Sequence, residues 1–429
     1  MANRNTRIVS VERRPPAGIG AAAPSAGDAV PRLAERALTE AIEGLAKRWQ
    51  ARHGREPVCV SHWNPSDDFV RSLRARLPTA QSFEAALAAH DPVPYRHSHM
   101  LPALGAVVKK LGFSAERDAA LITENGTSAI AAVANWLKLN GVSEVTLLTP
   151  SYYTTRYHLR RLGIVVRERP LIRSADGTYA LPHDLEAGRG RALWLTSPVY
   201  STGVYAREAD AATLRRLADQ GALIVADEVM ALWPTAIAQA LGGHRNFVGI
   251  YAPHKSICVN GIKFAAIVFH PRQQAAFSDW AEVLSGALGF GAVVAVEHFV
   301  SPAFDRYRAE FLALTRQARH WHDGLVAGFG DVIKTDAGSD GHFLMVYVPA
   351  LDARLGEDIN FLGEILEAAG CTVVPAMHSG FDAQCGFCFR INLARDSDDF
   401  RAALPKLYKF LQAAAAAPAE LRASVAARA

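Results

Sequence analysis

Short apolar runs alternate with amphipathic stretches through the middle of the chain. The runs are residues 144–148 (EVTLL), the segment around Val165 and Val166, 192–196 (ALWLT), 222–226 (ALIVA), 247–251 and 264–269. Four of them are almost continuously apolar, the pattern of parallel strands covered on both faces. Between them, residues 129–139, 153–162 and 209–219 carry helical spacing. This alternation predicts an α/β domain with a mostly parallel central sheet. From about residue 300, long helical patterns precede an alternating run at 342–348 and β segments at 371–374 and 387–393. These predict a smaller α+β domain. The expected boundaries are a tail at 1–30, an N-terminal part of the small domain at 31–95, a large domain at 96–299 and the rest of the small domain at 300–429. The alanine-rich end, from about Ala413, reads as a helix followed by a frayed tail.

Composition narrows the function without naming it. Half of the 429 residues are hydrophobic, enough for a substantial core, and 46 basic against 42 acidic residues leave a net charge of +4. That balance, with no basic run interleaved with aromatics, gives no case for a nucleic-acid partner. No apolar run is long enough to span a bilayer, and no uninterrupted apolar export signal opens the chain, so a cytoplasmic protein is expected. Five scattered cysteines do not read as a disulfide framework. Cys385 and Cys388 form one C-x-x-C without the second pair a zinc site needs, so no metal is expected.

Candidate chemistry begins at Asp227, at the carboxyl end of the run 222–226, where open α/β sheets bind ligands. Alone it reads as a loop-capping residue. Twenty-eight residues later, after one more strand, comes Lys255, and eight beyond it Lys263, following the turn-forming pair Asn260-Gly261. Gly126-Thr127-Ser128 opens a predicted helix, which suits an N-cap or a phosphate seat. Pro150-Ser151-Tyr152 follows a strand, Tyr95 precedes Leu101-Pro102-Ala103-Leu104, and Arg390 lies in Phe389-Arg390-Ile391-Asn392.

In this order the stations resemble those of the fold-type I pyridoxal phosphate (PLP) enzymes, specifically the class I/II aminotransferases, over roughly residues 60–400. The resemblance implies that Lys255 forms the Schiff base with PLP and Asp227 pairs with the pyridine nitrogen. It implies that Tyr152 stacks on the ring, and that Gly126, Thr127, Ser128 and Lys263 hold the phosphate together with Tyr95 of a second subunit. It further implies that Arg390 grips the substrate carboxylate, with Asn64 and His254 as further substrate contacts, and that the protein is a homodimer acting on an amino acid. The chemistry agrees with these residue types: a Schiff base needs an amine whose pKa falls on burial, and a guanidinium fork matches a carboxylate.

The chain also departs from the family pattern. Tyr200 stands where the family has the asparagine that bonds the cofactor's ring oxygen, and Met230 replaces a tyrosine contacting the same atom. Lys263 replaces an arginine, Ala252 a serine and Met100 a glycine. A tyrosine can donate to the same oxygen, so Tyr200 is taken to replace both donors. Three readings follow: amino-group transfer; a diverted PLP reaction such as β/γ-elimination, replacement or carbon–carbon bond-forming cyclisation; and a non-catalytic regulator that kept the fold. Retention of both Lys255 and Asp227, and the lack of an appended DNA-binding helix pair, argue against the third.

Overall fold

The computed structural model of the protein describes residues 34–90, 97–186, 191–280, 288–381 and 385–417. The expected tail at 1–30 and the candidate Tyr95 lie outside these. Seven strands form the large sheet: β1 (Ala119–Thr123), β2 (Glu144–Thr149), β3 (Val165–Pro170), β4 (Arg191–Thr196), β5 (Leu223–Asp227), β6 (Phe247–Tyr251) and β7 (Ala265–Phe269), in the order β1-β7-β6-β5-β4-β2-β3. The predicted apolar runs all lie in this sheet; β1 was not predicted. The sheet is mixed, because β7 runs against both its neighbours while the other pairings are parallel.

The continuous hydrophobicity of β5 and β6 has a direct cause. Ile224 and Ala226 face one apolar cluster with Leu214 and Leu217 of the helix Glu208–Asp219. Val225, Val248 and Ile250 face another with Val133 and Leu137 of the helix Gly126–Leu139. A strand alternates its side chains between faces, so two covered faces demand apolar residues at every position. The parallel strands therefore end together on one rim, where their loops can converge. β7 enters the sheet at that same rim because it runs backwards, which brings the segment before it, including Lys263, alongside.

A second, antiparallel sheet comprises β8 (Lys334–Thr335), β9 (Phe343–Val348), β10 (Val374–Pro375) and β11 (Phe387–Asn392), ordered β8-β9-β11-β10. Leu344, Val346, Phe389 and Ile391 pack under the helices Ile359–Ala369 and Asp398–Ala416 through Ile365, Leu404 and Leu407. The last helix starts well before the alanine-rich stretch, capped by the Ser397 side chain on the Phe400 amide at 3.3 Å.

A buried polar cluster ties the hairpin that follows β3 to the second sheet. Arg173, from a short hairpin after β3, donates to Asp336 at 2.9 Å; Tyr347 of β9 donates to the other oxygen of Asp336 at 2.5 Å; and the Tyr179 hydroxyl completes the chain to Tyr347 at 2.8 Å. Asp336 is fully buried. Asp336→Ala would strand a half-buried guanidinium and the Tyr347 hydroxyl, so urea unfolding should show a loss of about 3 kcal/mol.

Candidate active site

Asp227 closes β5 and points into the rim with its carboxylate buried. The Val229 amide donates to its Oδ1 at 3.3 Å. Burial pushes its carboxyl up to about 6, moderated by that amide and by the positive charge of Lys255. Glu228, next along the backbone, accepts from the Tyr251 hydroxyl, and burial pushes it up to about 7.

Lys255 sits in the single helical turn Pro253–Ser256 directly after β6, with proline at its start. Its Nζ lies 4.8 Å from the ring centre of Trp63 and 5.2 Å from that of Tyr152. Burial lowers the amine's pKa, while Tyr152 and Asp227 pull it back up. Tyr152 follows β2 and caps the helix Tyr153–Arg161, and its ring centre is 5.8 Å from that of Tyr200.

Tyr200 occupies a tight turn after β4, in which the Val199 amide donates to the Val204 carbonyl at 2.7 Å. Ser201 (φ 61°) and Gly203 (φ 74°) both take left-handed backbone there. At Gly203 a side chain would also run into the Asp340 carbonyl, so only glycine lets the 339–342 segment dock on the turn. Burial raises the Tyr200 hydroxyl's pKa, and the nearby positive charge of Arg390 pulls it back down.

Arg390 comes from the other sheet, on β11, facing Met345 across the ladder. Its Nε donates to the Ser61 carbonyl at 3.1 Å, and its Cζ stands 3.7 Å from the ring centre of Trp63 and 4.9 Å from that of Phe343. Burial lowers its pKa. Two strands from two sheets and one N-terminal segment thus gather a carboxylate, an amine, a guanidinium and several rings.

The remaining sequence candidates fall as follows. Gly126, Thr127 and Ser128 form the first turn of a helix whose cap, Asn125, accepts from the Ser128 amide at 3.0 Å. The Ser128 amide is thereby committed to the cap. Gly126 lies close against Val229, where a β-carbon would come within 3.2 Å of Cγ2. Lys263 Nζ donates to the Asn260 carbonyl at 2.8 Å, and the Asn260 amide reaches Asn64 Oδ1 at 3.1 Å. Met230 packs against the apolar cluster beside Val229.

His254 is corrected. Its ring is fully buried beside Phe264 and Phe304, away from the gathered residues, with Nε2 3.0 Å from His298 Nδ1. His298 Nε2 in turn lies 3.1 Å from the Arg76 carbonyl, an acceptor only, so His298 donates there and His254 donates to His298. Neighbouring residues on one helical turn point in different directions, and here Lys255 takes the rim. Burial pushes His254 down to about 3. A wall contact, not a substrate contact, is what this ring makes.

Trp63 is the feature the sequence undersold. It belongs to no motif, and its contacts appear only in the folded chain. Among the described residues no cluster of His, Cys, Asp or Glu could hold a metal ion, and no helix is long and apolar enough to cross a membrane.

The donor set fits PLP: a buried acid for a ring nitrogen, a half-buried amine for an aldehyde, an aromatic face and a helix start. The fold agrees. The chain has a fold-type I PLP-dependent aminotransferase-like fold, with a large mixed sheet and a smaller domain. Methionine aminotransferase YbdL of Escherichia coli matches with a TM-score of 0.68 at 20% identity, covering 89% of this chain and 100% of that one. Aspartate aminotransferase of Thermus thermophilus matches at 0.68 and 17%, covering 88% and 97%. The PLP-dependent cyclase OrfR matches at 0.66 and 22%, covering 86% and 97%. No protein-family model and no curated protein sequence matches the chain.

Proposed function

We propose that this protein is a PLP-dependent enzyme acting on the α-amino group of an amino acid, in its simplest form an aminotransferase. The observation that carries the reading is the convergence of half-buried Lys255 with buried Asp227 and Arg390, the amine and the guanidinium meeting on one indole ring. When bound, PLP would join the substrate amine through its aldehyde and withdraw electrons from the α-carbon through its ring. Asp227 would hold a proton on the ring nitrogen, for which a buried carboxylate without a direct cationic partner is suited. Lys255 Nζ, with its pKa lowered by burial, is the base available to take the α-proton. Arg390 would take the carboxylate on the in-plane edge of its fork, while Tyr152 covers one ring face. The first turn of the helix Gly126–Leu139 and Lys263 would receive the phosphate. The large and small domains meeting near residue 300, a homodimer completed by Tyr95, and a cytoplasmic setting belong to the same proposal.

A second reading, a PLP reaction that breaks or forms a further bond in the substrate, has its own support. Tyr200 lies beside the charge of Arg390 and Met230 offers no hydroxyl, so the donors available to the ring oxygen would differ from the usual pair. One structural neighbour is a cyclase. The test is product analysis of the PLP-loaded protein with a panel of amino acids. Transfer predicts a stoichiometric keto acid and recovery of the starting absorbance when a second keto acid is added. A product that keeps or loses atoms without forming keto acid favours the second reading, and no reaction or spectral change with any amino acid ends both.

A further inference from the structure

Trp63 lies against both cations of the site, and nothing in the expected residue roles accounts for it. Arg390 Cζ is 3.7 Å from its ring centre, a stacking distance, and Lys255 Nζ is 4.8 Å away. Phe343 braces the indole edge-on, with ring centres 5.0 Å apart at 90°. A guanidinium stacked on a ring keeps its N–H groups in the plane free to fork onto a carboxylate. The indole face, electron-rich, attracts each cation.

The backbone around Trp63 is fixed from both sides. Toward β11, the Ser61 hydroxyl donates to the Arg390 carbonyl at 2.6 Å, the Asn392 amide to the Val60 carbonyl at 2.8 Å, and the Asn392 side chain to the His62 carbonyl at 2.8 Å. Toward the loop after Lys255, the Asn260 side chain donates to the Trp63 carbonyl at 3.2 Å. The residue is held where the strand bearing Arg390 meets the loop bearing Lys255.

We infer that Trp63 is a positioning residue that sets Arg390 and Lys255 at once, aligning the two ends of an α-amino acid, its carboxylate and its amine. The inference rests on the reading of the site given above. The other charged or titratable groups acting on Lys255 are Tyr152, Asp227, Arg390 and Lys263.

The test uses the full chain reconstituted with PLP, as wild type, Trp63→Leu and Trp63→Phe, with thermal melting to verify folding. Propanoate, which has a carboxylate and no amine, is titrated by calorimetry and reports on Arg390. The pH midpoint of the bound cofactor's absorbance band reports on Lys255. Trp63→Leu should weaken propanoate about tenfold and lower the midpoint by about one pH unit, since the ring no longer favours a positive charge. Trp63→Phe should restore both to within about threefold and about half a unit. A leucine variant in which neither readout moves, or only one, overturns the inference, as does a phenylalanine variant no better than leucine. If the wild type forms no cofactor band, the PLP reading itself has failed, and propanoate binding lost in Arg390→Lys but intact in Trp63→Leu would still refute the Trp63 contact. Should the leucine variant not fold, Trp63→Met takes its place, read by the same two measurements and the same outcomes.

Discussion

Replacing Lys255 by alanine is expected to give a folded protein that turns substrate over at least about a thousandfold more slowly and lacks the covalent cofactor band. The loss is large because in the proposed mechanism one amine serves two purposes, capture of the aldehyde and removal of the α-proton. Folding should not suffer. The side chain is buried against Trp63 and Tyr152, and burial lowers its pKa. A base whose pKa is depressed in the folded state binds fewer protons than the unfolded chain, so cofactor-free wild type gives up stability as pH falls from the ordinary lysine value toward the lowered one. The alanine variant carries no such penalty. Thermal melting across pH, with turnover and absorbance beside it, checks both halves. A variant with full turnover would remove Lys255 from the mechanism.

Asp227→Asn is the second large effect. Turnover should drop by about a hundredfold or more, because the amide cannot keep a positive charge on the ring nitrogen. Stability of the cofactor-free protein should move the other way. The folded carboxyl sits at about 6, above its ordinary value near 3.8, so between these pH values the folded state holds a proton that the unfolded chain has released. Wild-type stability therefore falls as pH rises through that window, by on the order of 3 kcal/mol once pH exceeds about 6. Asparagine avoids this fall and should be more stable than wild type at pH 7 while being equal near pH 3. Glu228, at about 7, adds its own fall in both proteins, so the comparison is the difference between the two urea-denaturation series, not either slope. No gain at pH 7 would mean that Asp227 is not buried as a charge.

Much of this arrangement was readable in the chain. The runs at 222–226 and 247–251 announced doubly covered strands because every position must be apolar there, and Asp227 broke the run at the point where the sheet ends. The direction of β7 was not readable, since Ala265–Phe269 is as apolar as its parallel neighbours and hydrophobicity carries no sense of direction. β1 escaped notice because Ala119–Thr123 is short and begins with two alanines. His254 was misassigned because adjacency to Lys255 in sequence says nothing about which way a residue faces within a helical turn. Trp63 stayed in the background for the opposite reason: its contacts, with residues 192 and 327 positions away, exist only once the chain has folded.

The short stretch from Val60 to Ser66 runs along Arg390, Asn392 and Ala394 on one side and Asn260 on the other. It behaves as a splint across two structural units, one 197 and the other 329 residues further along the chain. A nascent chain would therefore have to keep its opening segment waiting until β11 emerges. The gathered side chains become the last thing assembled, and a proteolytic cut after Pro65 would part Trp63 from the fragment that carries Asp227, Lys255 and Arg390.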